Sequence, residues 1–129
     1  MDIIHACESL GHALSKQGNN IRAENIQTMP EDMLQELRQN KAEILTRLDR
    51  DNKMKKVGAV IGIPGKVYFW TLSRGTTLYL EQAGGQWLLY RMNHYTTTTY
   101  TSVRARGRTF DHVYQEAKSY MAYLSKERI

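Results

Sequence analysis

Residues 102–121, "SVRARGRTFDHVYQEAKSYM", decide how the second half of this chain folds. Arginines stand at positions 104, 106 and 108, and this period of two is that of a β-strand. Thr109 is a residue type that caps helices, and Asp111 follows in the first turn, where a negative charge is favourable. The segment therefore predicts a last strand at 101–107 and then an amphipathic helix. The predicted buried stripe of this helix is Phe110, Val113, Ala117, Met121 and Leu124.

Four stretches upstream of this segment have the composition of strands, because they are rich in β-branched and aromatic residues. These strands are predicted at residues 57–63, 66–72, 76–82 and 86–92. The dipeptides PG, RG and GG separate them and are typical of turns. Residues 93–100, "NHYTTTTY", form either a mobile connection or a strand with a polar tip. We expect an antiparallel sheet of three to five strands packed on the C-terminal helix.

The first half has helical periodicity. Ile3, Cys7, Leu10 and Leu14 form one apolar stripe, which predicts a helix over residues 2–17 that Gly18 ends. A short, mixed segment follows, with room for one or two brief strands.

A second helix is predicted from Thr28 to about Leu48. Thr28 and Glu31 have capping-box spacing, and Pro30 falls in the first turn. The charged residues after Leu48 read as a solvated helix tail or linker. The fold class is therefore α+β, with a helical module at 1–52 and a sheet-plus-helix module at 53–129.

Charge is distributed unevenly between the two halves. Residues 1–54 carry a net charge of −2 and residues 55–129 a net charge of +7. A basic half indicates an anionic partner, either nucleic acid or an acidic protein surface. The sequence has one cysteine, no basic segment that would begin a signal peptide, and no apolar run of membrane-spanning length. We expect a cytoplasmic protein without membrane contact.

The residues that would carry catalysis form no recognisable constellation. His5, His12, His94 and His112 make no metal-binding pair, and Cys7 lies on an apolar stripe. The "GIPGK" segment lacks the spacing of a phosphate-binding loop. We expect no enzyme activity, no metal and no cofactor.

Residues 8–48 resemble the N-terminal docking domain of the tubulysin synthetase subunit TubC. The likeness rests on a helix, a glycine turn and a segment with the family's spacing. The matching positions are Pro30, Glu31, Leu34, Leu37, Arg38, Lys41, Ile44 and Leu45. The resemblance implies a small protein-interaction module, often self-associating, that holds a partner peptide, with Arg38 and Lys41 among its contact residues. Related segments begin bacterial mobile-element and replication proteins, which implies a phage or mobile-element setting and a possible homodimer.

Residues 76–124 are more weakly similar to the sheet-and-helix DNA-binding domains of ethylene-response factors and phage integrases. The matching positions are Trp87, Arg91, Arg104, Arg106, Phe110, Glu116 and Ala117. In those families the sheet enters the major groove and the helix packs behind it, so the resemblance implies duplex DNA as the favoured partner.

Strand alternation predicts which side chains would contact that partner. It places Tyr79, Trp87, Leu89, Arg91, Arg104 and Arg106 on one face, with Arg108 close by. The opposite face would pack on the C-terminal helix through Leu78, Leu80, Leu88, Tyr90, Met92, Val103 and Ala105. Arginine can pair with guanine or phosphate, and Tyr79 and Trp87 could stack on single-stranded bases. The leading hypothesis is a nucleic-acid-binding protein. The alternative is an adaptor or inhibitor that uses the same face to bind a protein of a host nucleic-acid machine.

Overall fold

The computed structural model describes residues 2–94 and 98–126, and over these ranges it has the predicted α+β architecture. The chain forms two compact units, Met1–Val57 and Gly58–Ile129. The predicted division at 52/53 falls inside a helix that continues to Lys56.

The first unit begins with helix α1 (Ile3–Ser9), whose first turn is capped by the Asp2 carboxylate. The predicted helix over 2–17 is wrong beyond Ser9. Gly11 has a φ of 86° and turns the chain, and Leu14 starts a strand instead of a fourth helical turn. Strands β1 (Leu14–Gln17) and β2 (Asn20–Ala23) form an antiparallel hairpin. Gly18 is left-handed as expected, but it lies in the hairpin turn.

A buried histidine helps to hold the turn after α1. His12 is buried, and its Nδ1 lies 3.0 Å from the carbonyl oxygen of Glu24, beyond β2. This contact joins segments twelve residues apart in sequence, so helical spacing of apolar residues could not reveal it.

The predicted helix over 28–48 consists of two helices, α2 (Glu31–Gln39) and α3 (Lys41–Lys56). They meet at Asn40, whose side-chain amide donates to the carbonyl of Glu36. Thr28 does not act in a capping box, because it lies in a 3-10 helix (Ile26–Thr28) and its hydroxyl donates to the Asn25 carbonyl. The charged stretch after Leu48 is helical, and Asp51 and Met54 in it are buried instead of solvated.

The second unit is an antiparallel sheet with the strand order β3-β4-β5-β6-β7. The strands are β3 (Val60–Ile63), β4 (Val67–Ser73), β5 (Thr76–Ala83), β6 (Gln86–His94) and β7 (Thr99–Gly107). In the predicted connection at 93–100, Asn93 and His94 belong to β6, and Thr99 and Tyr100 belong to β7. Residues 95–97 lie outside the described residues. Since each strand pairs with its neighbour in sequence, β3 and β7 are the outer strands of this sheet.

Helix α4 (Phe110–Lys126) packs on β5, β6 and β7. The Thr109 hydroxyl accepts a hydrogen bond from the His112 amide at 3.3 Å, as the predicted cap requires. Phe110, Val113 and Ala117 are buried as expected. The sheet and α4 therefore form the predicted two-layer arrangement.

Candidate functional site

The register of β5 and β6 decides which side chains share a face of the sheet. Tyr79 pairs with Tyr90, whereas Trp87 and Leu89 alternate with Tyr90 along β6 and point to the other side. The rings of Trp87 and Phe110, the latter on α4, lie 5.1 Å apart, so that side carries the helix. We call it the helix side, and we call the side of Tyr79 and Tyr90 the open face.

The predicted assignment of β6 to the two faces is wrong. Trp87, Leu89 and Arg91 lie on the helix side, and Leu88, Tyr90 and Met92 lie on the open face. Both sets contain apolar residues, so hydrophobicity alone did not separate them. The signal that could have separated them is the two-residue turn Gly84–Gly85. A two-residue turn pairs Ala83 with Gln86, and this pair fixes the register of all other pairs between β5 and β6.

A row of apolar and aromatic side chains crosses the open face in register, with one residue from each strand of the sheet. The aromatic row consists of Val60, Phe69, Tyr79, Tyr90 and Val103. The rings of Phe69 and Tyr79 are 5.8 Å apart and tilted, and those of Tyr79 and Tyr90 are stacked at 5.0 Å. Val60 and Val103, at the two ends, are 50% and 47% exposed. The aromatic row is thus an apolar strip on the face that α4 leaves uncovered.

The side chains beside the aromatic row differ on its two flanks. One flank contains Ile63, Val67, Glu81, Leu88 and Arg106, and the other Thr71, Thr77, Met92 and Thr101. The Tyr90 hydroxyl donates to a Glu81 carboxylate oxygen at 3.3 Å. Burial first, and then the charge of Glu81, raise the pKa of Tyr90 to about 12. The phenol at the centre of the row therefore keeps its proton to a higher pH than an ordinary tyrosine does.

The arginines of the opening segment lie on or just beyond the outer strand β7. Arg106 pairs with Leu88 and so belongs to the open face. Arg104 is the extra residue of a bulge, because Ala105 pairs with Leu89 and Val103 with Tyr90. Its guanidinium lies 5.4 Å from the centre of the Tyr120 ring on α4.

None of the predicted contact arginines is neutralised by a carboxylate within 4 Å in the part of the chain that the structure describes. This holds for Arg91, Arg104, Arg106 and Arg108. Arg104, Arg106 and Arg108 are exposed.

The structure does not bring all the predicted contact residues together. Tyr79 and Arg106 share the open face, whereas Trp87, Arg91 and Arg104 belong to the helix side. Trp87 is only 2% exposed, so its ring has no free surface on which a base could stack. Sequence reasoning instead missed Tyr90, which it assigned to the helix, and Phe69, on β4.

Arg91 takes part in a polar cluster on the helix side. Its Nη1 donates to the Tyr120 hydroxyl at 2.8 Å, and its Nε donates to Asn93 Oδ1 at 3.3 Å. The same Asn93 oxygen accepts from the Thr76 hydroxyl at 3.1 Å. These partners are neutral, so they orient the guanidinium without compensating its charge.

The two predicted protein-contact residues of the first unit lie beside a cavity of about 300 Å³. The cavity is lined by Asn20, Ile21, Ala23, Ile26, Leu34, Leu37, Arg38 and Lys41. Lys41 Nζ donates to Asn20 Oδ1 at 3.0 Å, and Arg38 forms an exposed ion pair with Glu31 at 3.5 Å. The arrangement combines apolar walls with two cationic side chains.

Within residues 2–94 and 98–126, no three histidine, cysteine or acidic side chains are grouped as metal ligands. Cys7 is buried, and this burial raises the pKa of its thiol. Among the described helices, none is both long enough and apolar enough to span a membrane.

No protein-family model, curated protein or solved structure matches this chain.

Proposed function

We propose that this chain is a non-catalytic nucleic-acid-binding protein, and that the open face of its sheet holds a single strand. The observation that carries the proposal is the aromatic row, which lies beside Arg106 on a face that α4 leaves uncovered. An exposed sheet with rings on one face and arginines at its edge is a combination that single-strand-binding surfaces use.

Stacking is the first part of the proposed mechanism. Tyr79 and Tyr90 are half-buried, and Phe69 continues the row on the next strand. Rings held by neighbouring strands lose little conformational entropy when a base packs on them. Because every base has a π-face, such contacts bind nucleic acid with little sequence preference.

Phosphate binding is the second part. Arg106 stands on the open face at the outer strand, and Arg108 follows two residues later. Both are exposed and have no carboxylate partner among the described residues. Guanidinium groups in this position would replace counterions along a phosphate backbone, which makes the affinity depend on salt.

The position of Arg91 and Arg104 favours a single strand over the duplex that the family resemblance suggested. A sheet that reads the major groove needs polar side chains aimed at base edges. Here Arg91 and Arg104 turn to the helix side, and the aromatic row across the middle of the open face offers rings and aliphatic groups instead. This composition suits unstacked bases better than the edges of paired ones.

Fluorescence anisotropy of labelled single-stranded and duplex DNA across a salt series tests the proposal. We expect the single strand to bind more tightly, and Tyr79→Leu to weaken its binding by about tenfold or more. Tyr123→Leu, an exposed tyrosine on α4, is the matched control and should bind as the parent does. Arg106→Gln should reduce the slope of log affinity against log salt by about 0.7, whereas Arg74→Gln in the β4–β5 turn should leave it unchanged.

Two results would contradict the proposal. One is the absence of binding at low salt to either form of DNA. The other is single-strand affinity that Tyr79→Leu leaves unaltered while the variant remains folded.

The alternative function is an adaptor or inhibitor that binds a protein through the open face. The exposed aliphatic side chains Val60, Ile63 and Val103 favour it, since protein interfaces bury such groups. The contribution of these apolar side chains to the affinity for a protein partner would not decrease as the salt concentration rises. A failure of both DNA forms to bind would therefore move this alternative forward.

For the first unit we propose a protein-interaction role centred on its cavity. The apolar walls suit an apolar peptide side chain, and Arg38 and Lys41 suit a nearby carboxylate. The proposed homodimer belongs to the same role. Light scattering over a range of protein concentrations tests it, and a monomer at the highest concentration would remove the dimer.

A further inference from the structure

We propose that Arg91, Arg104 and Tyr120 form a binding site for a phosphate group on the helix side of the sheet. Three different elements supply these residues: β6, the bulge of β7, and α4. The site lies on the opposite side of the sheet from the aromatic row, so it does not depend on the stacking surface.

The first argument is the unbalanced charge of Arg91. Its side chain is half-buried and donates to two neutral oxygens, those of Tyr120 and Asn93. No carboxylate lies within 4 Å of it in the described ranges of the chain. A guanidinium has five N–H donors, so others remain available, and withdrawing an uncompensated charge from water is unfavourable. An anion would supply the missing counter-charge.

The second argument is that two guanidiniums contact a single tyrosine. Arg91 reaches the Tyr120 hydroxyl at 2.8 Å, and Arg104 lies over the ring at 5.4 Å from its centre. The two guanidinium charges repel each other at this short range, and a bound anion would offset that repulsion. The bulge is what turns Arg104 toward α4, because it adds a residue between Val103 and Ala105.

The chemistry of the three groups points to phosphate. Guanidinium forks match the oxygens of phosphate and can each donate two parallel hydrogen bonds. The Tyr120 hydroxyl accepts from Arg91, so its own proton can be donated to a third oxygen. Two cations and one hydroxyl donor suit a tetrahedral phosphate group, which offers several acceptor oxygens and at least one negative charge. The source could be a free or terminal phosphate or the phosphodiester backbone, which share these acceptor oxygens.

Binding can be measured on the full chain with inorganic phosphate as the probe. Arginine Nε–Hε resonances would be followed by two-dimensional NMR during titration at constant ionic strength. We expect saturable shifts of the Arg91 and Arg104 signals, and affinity at least about tenfold weaker in Arg91→Gln. Arg22→Gln, an exposed arginine on β2, is the matched control and should titrate like the parent.

Tyr120→Phe distinguishes binding from a merely structural role. It keeps the ring beneath Arg104 and removes only the hydroxyl, so we expect an intact fold with phosphate affinity several-fold lower. Glu116→Gln should raise the phosphate affinity, because it removes a negative charge one helical turn before Tyr120. The proposal is overturned if no saturable shift occurs, or if Arg91→Gln and Tyr120→Phe both titrate like the parent.

Oligonucleotides identify the source of the phosphate. If the site takes a free or terminal group, a 5′-phosphorylated single strand will bind more tightly than its unphosphorylated form, and inorganic phosphate will compete with it. If the site takes the backbone, both strands will bind equally and Arg91→Gln will weaken both. Equal binding of both strands that Arg91→Gln does not change would exclude nucleic acid as the source and leave a free phosphate compound.

Discussion

Substitution of Gly107 by alanine tests the way in which β7 passes into α4. Gly107 ends the strand opposite Trp87, and the first turn of the helix lies over it. A Cβ at this position would lie 2.6 Å from His112 Cδ2 and 3.2 Å from Val113 Cγ2. The backbone angle of Gly107 is one that alanine also adopts, so the expected cost is steric.

The size of the effect follows from these two contacts. The exposed His112 ring can relieve its contact only by leaving its present rotamer, and the fully buried Val113 must shift within the core. Overpacking of a buried site costs about 1–3 kcal/mol. Alanine also lowers the conformational entropy of the unfolded chain, which stabilises the folded state by about 0.4–1 kcal/mol. We therefore expect Gly107→Ala to lower the free energy of unfolding by about 1–2 kcal/mol.

Urea unfolding followed by tryptophan fluorescence provides the assay, since both tryptophans, Trp70 and Trp87, lie in the second unit. Adding His112→Ala removes the closer of the two contacts and should recover part of the loss. Gly85→Ala, where nothing lies within 4 Å of the new Cβ, should be neutral or slightly stabilising. A Gly107→Ala protein as stable as the parent, or no recovery in the double variant, would refute the steric argument.

Two further predictions concern a tyrosine and a buried ion pair. The native state holds the Tyr90 proton more tightly than the unfolded chain, so this stabilisation is present below pH 10 and lost between pH 10 and about 12. Glu81→Gln should lower the pKa of Tyr90 in an absorbance titration, and an unchanged value would contradict the role of the carboxylate. Asp2→Ala removes an ion partner of the buried Arg47, so it should cost about 3 kcal/mol. Labelling of buried Cys7 by a thiol reagent should then accelerate by about 100-fold, and an unaltered rate would contradict this.

The elements that the sequence predicted correctly are those whose limits are set by local chemistry. Glycine turns bound the strands at 67–73, 76–83 and 86–94, and the Thr109 cap starts α4. These signals act within a few residues, so one sequence is enough to find them.

The errors arose where the structure is decided by contacts that leave the periodicity of apolar residues unchanged. Leu10 and Leu14 have helical spacing, but Gly11 and the His12–Glu24 contact turn the chain into a hairpin. Asn40 divides one periodic segment into two helices, because its side-chain amide donates a hydrogen bond to the Glu36 carbonyl at the end of α2. Neither contact alters the pattern of apolar residues.

The candidate site was predicted in part. The arginine-rich strand was placed correctly from its period of two, and Tyr79 and Arg106 do share a face. Trp87 and Arg91 were misplaced, because an aromatic and an amphipathic side chain fit either face of a strand. The bulge at Arg104 depends on pairing across β6 and β7, which no stretch of β7 alone specifies.

The outer position of β7 also bears on solubility. An edge strand presents unpaired N–H and C=O groups to which another chain can add, and this is a route to aggregation. Arg104, Arg106 and Arg108 place like charges along this edge, and the bulge interrupts its regular hydrogen-bonding pattern. Two such edges would repel each other before their backbones could pair. A polyanion that neutralised the three arginines would remove part of this protection. The protein with such a ligand bound would then be more prone to pair edge to edge and to form fibres than the free protein.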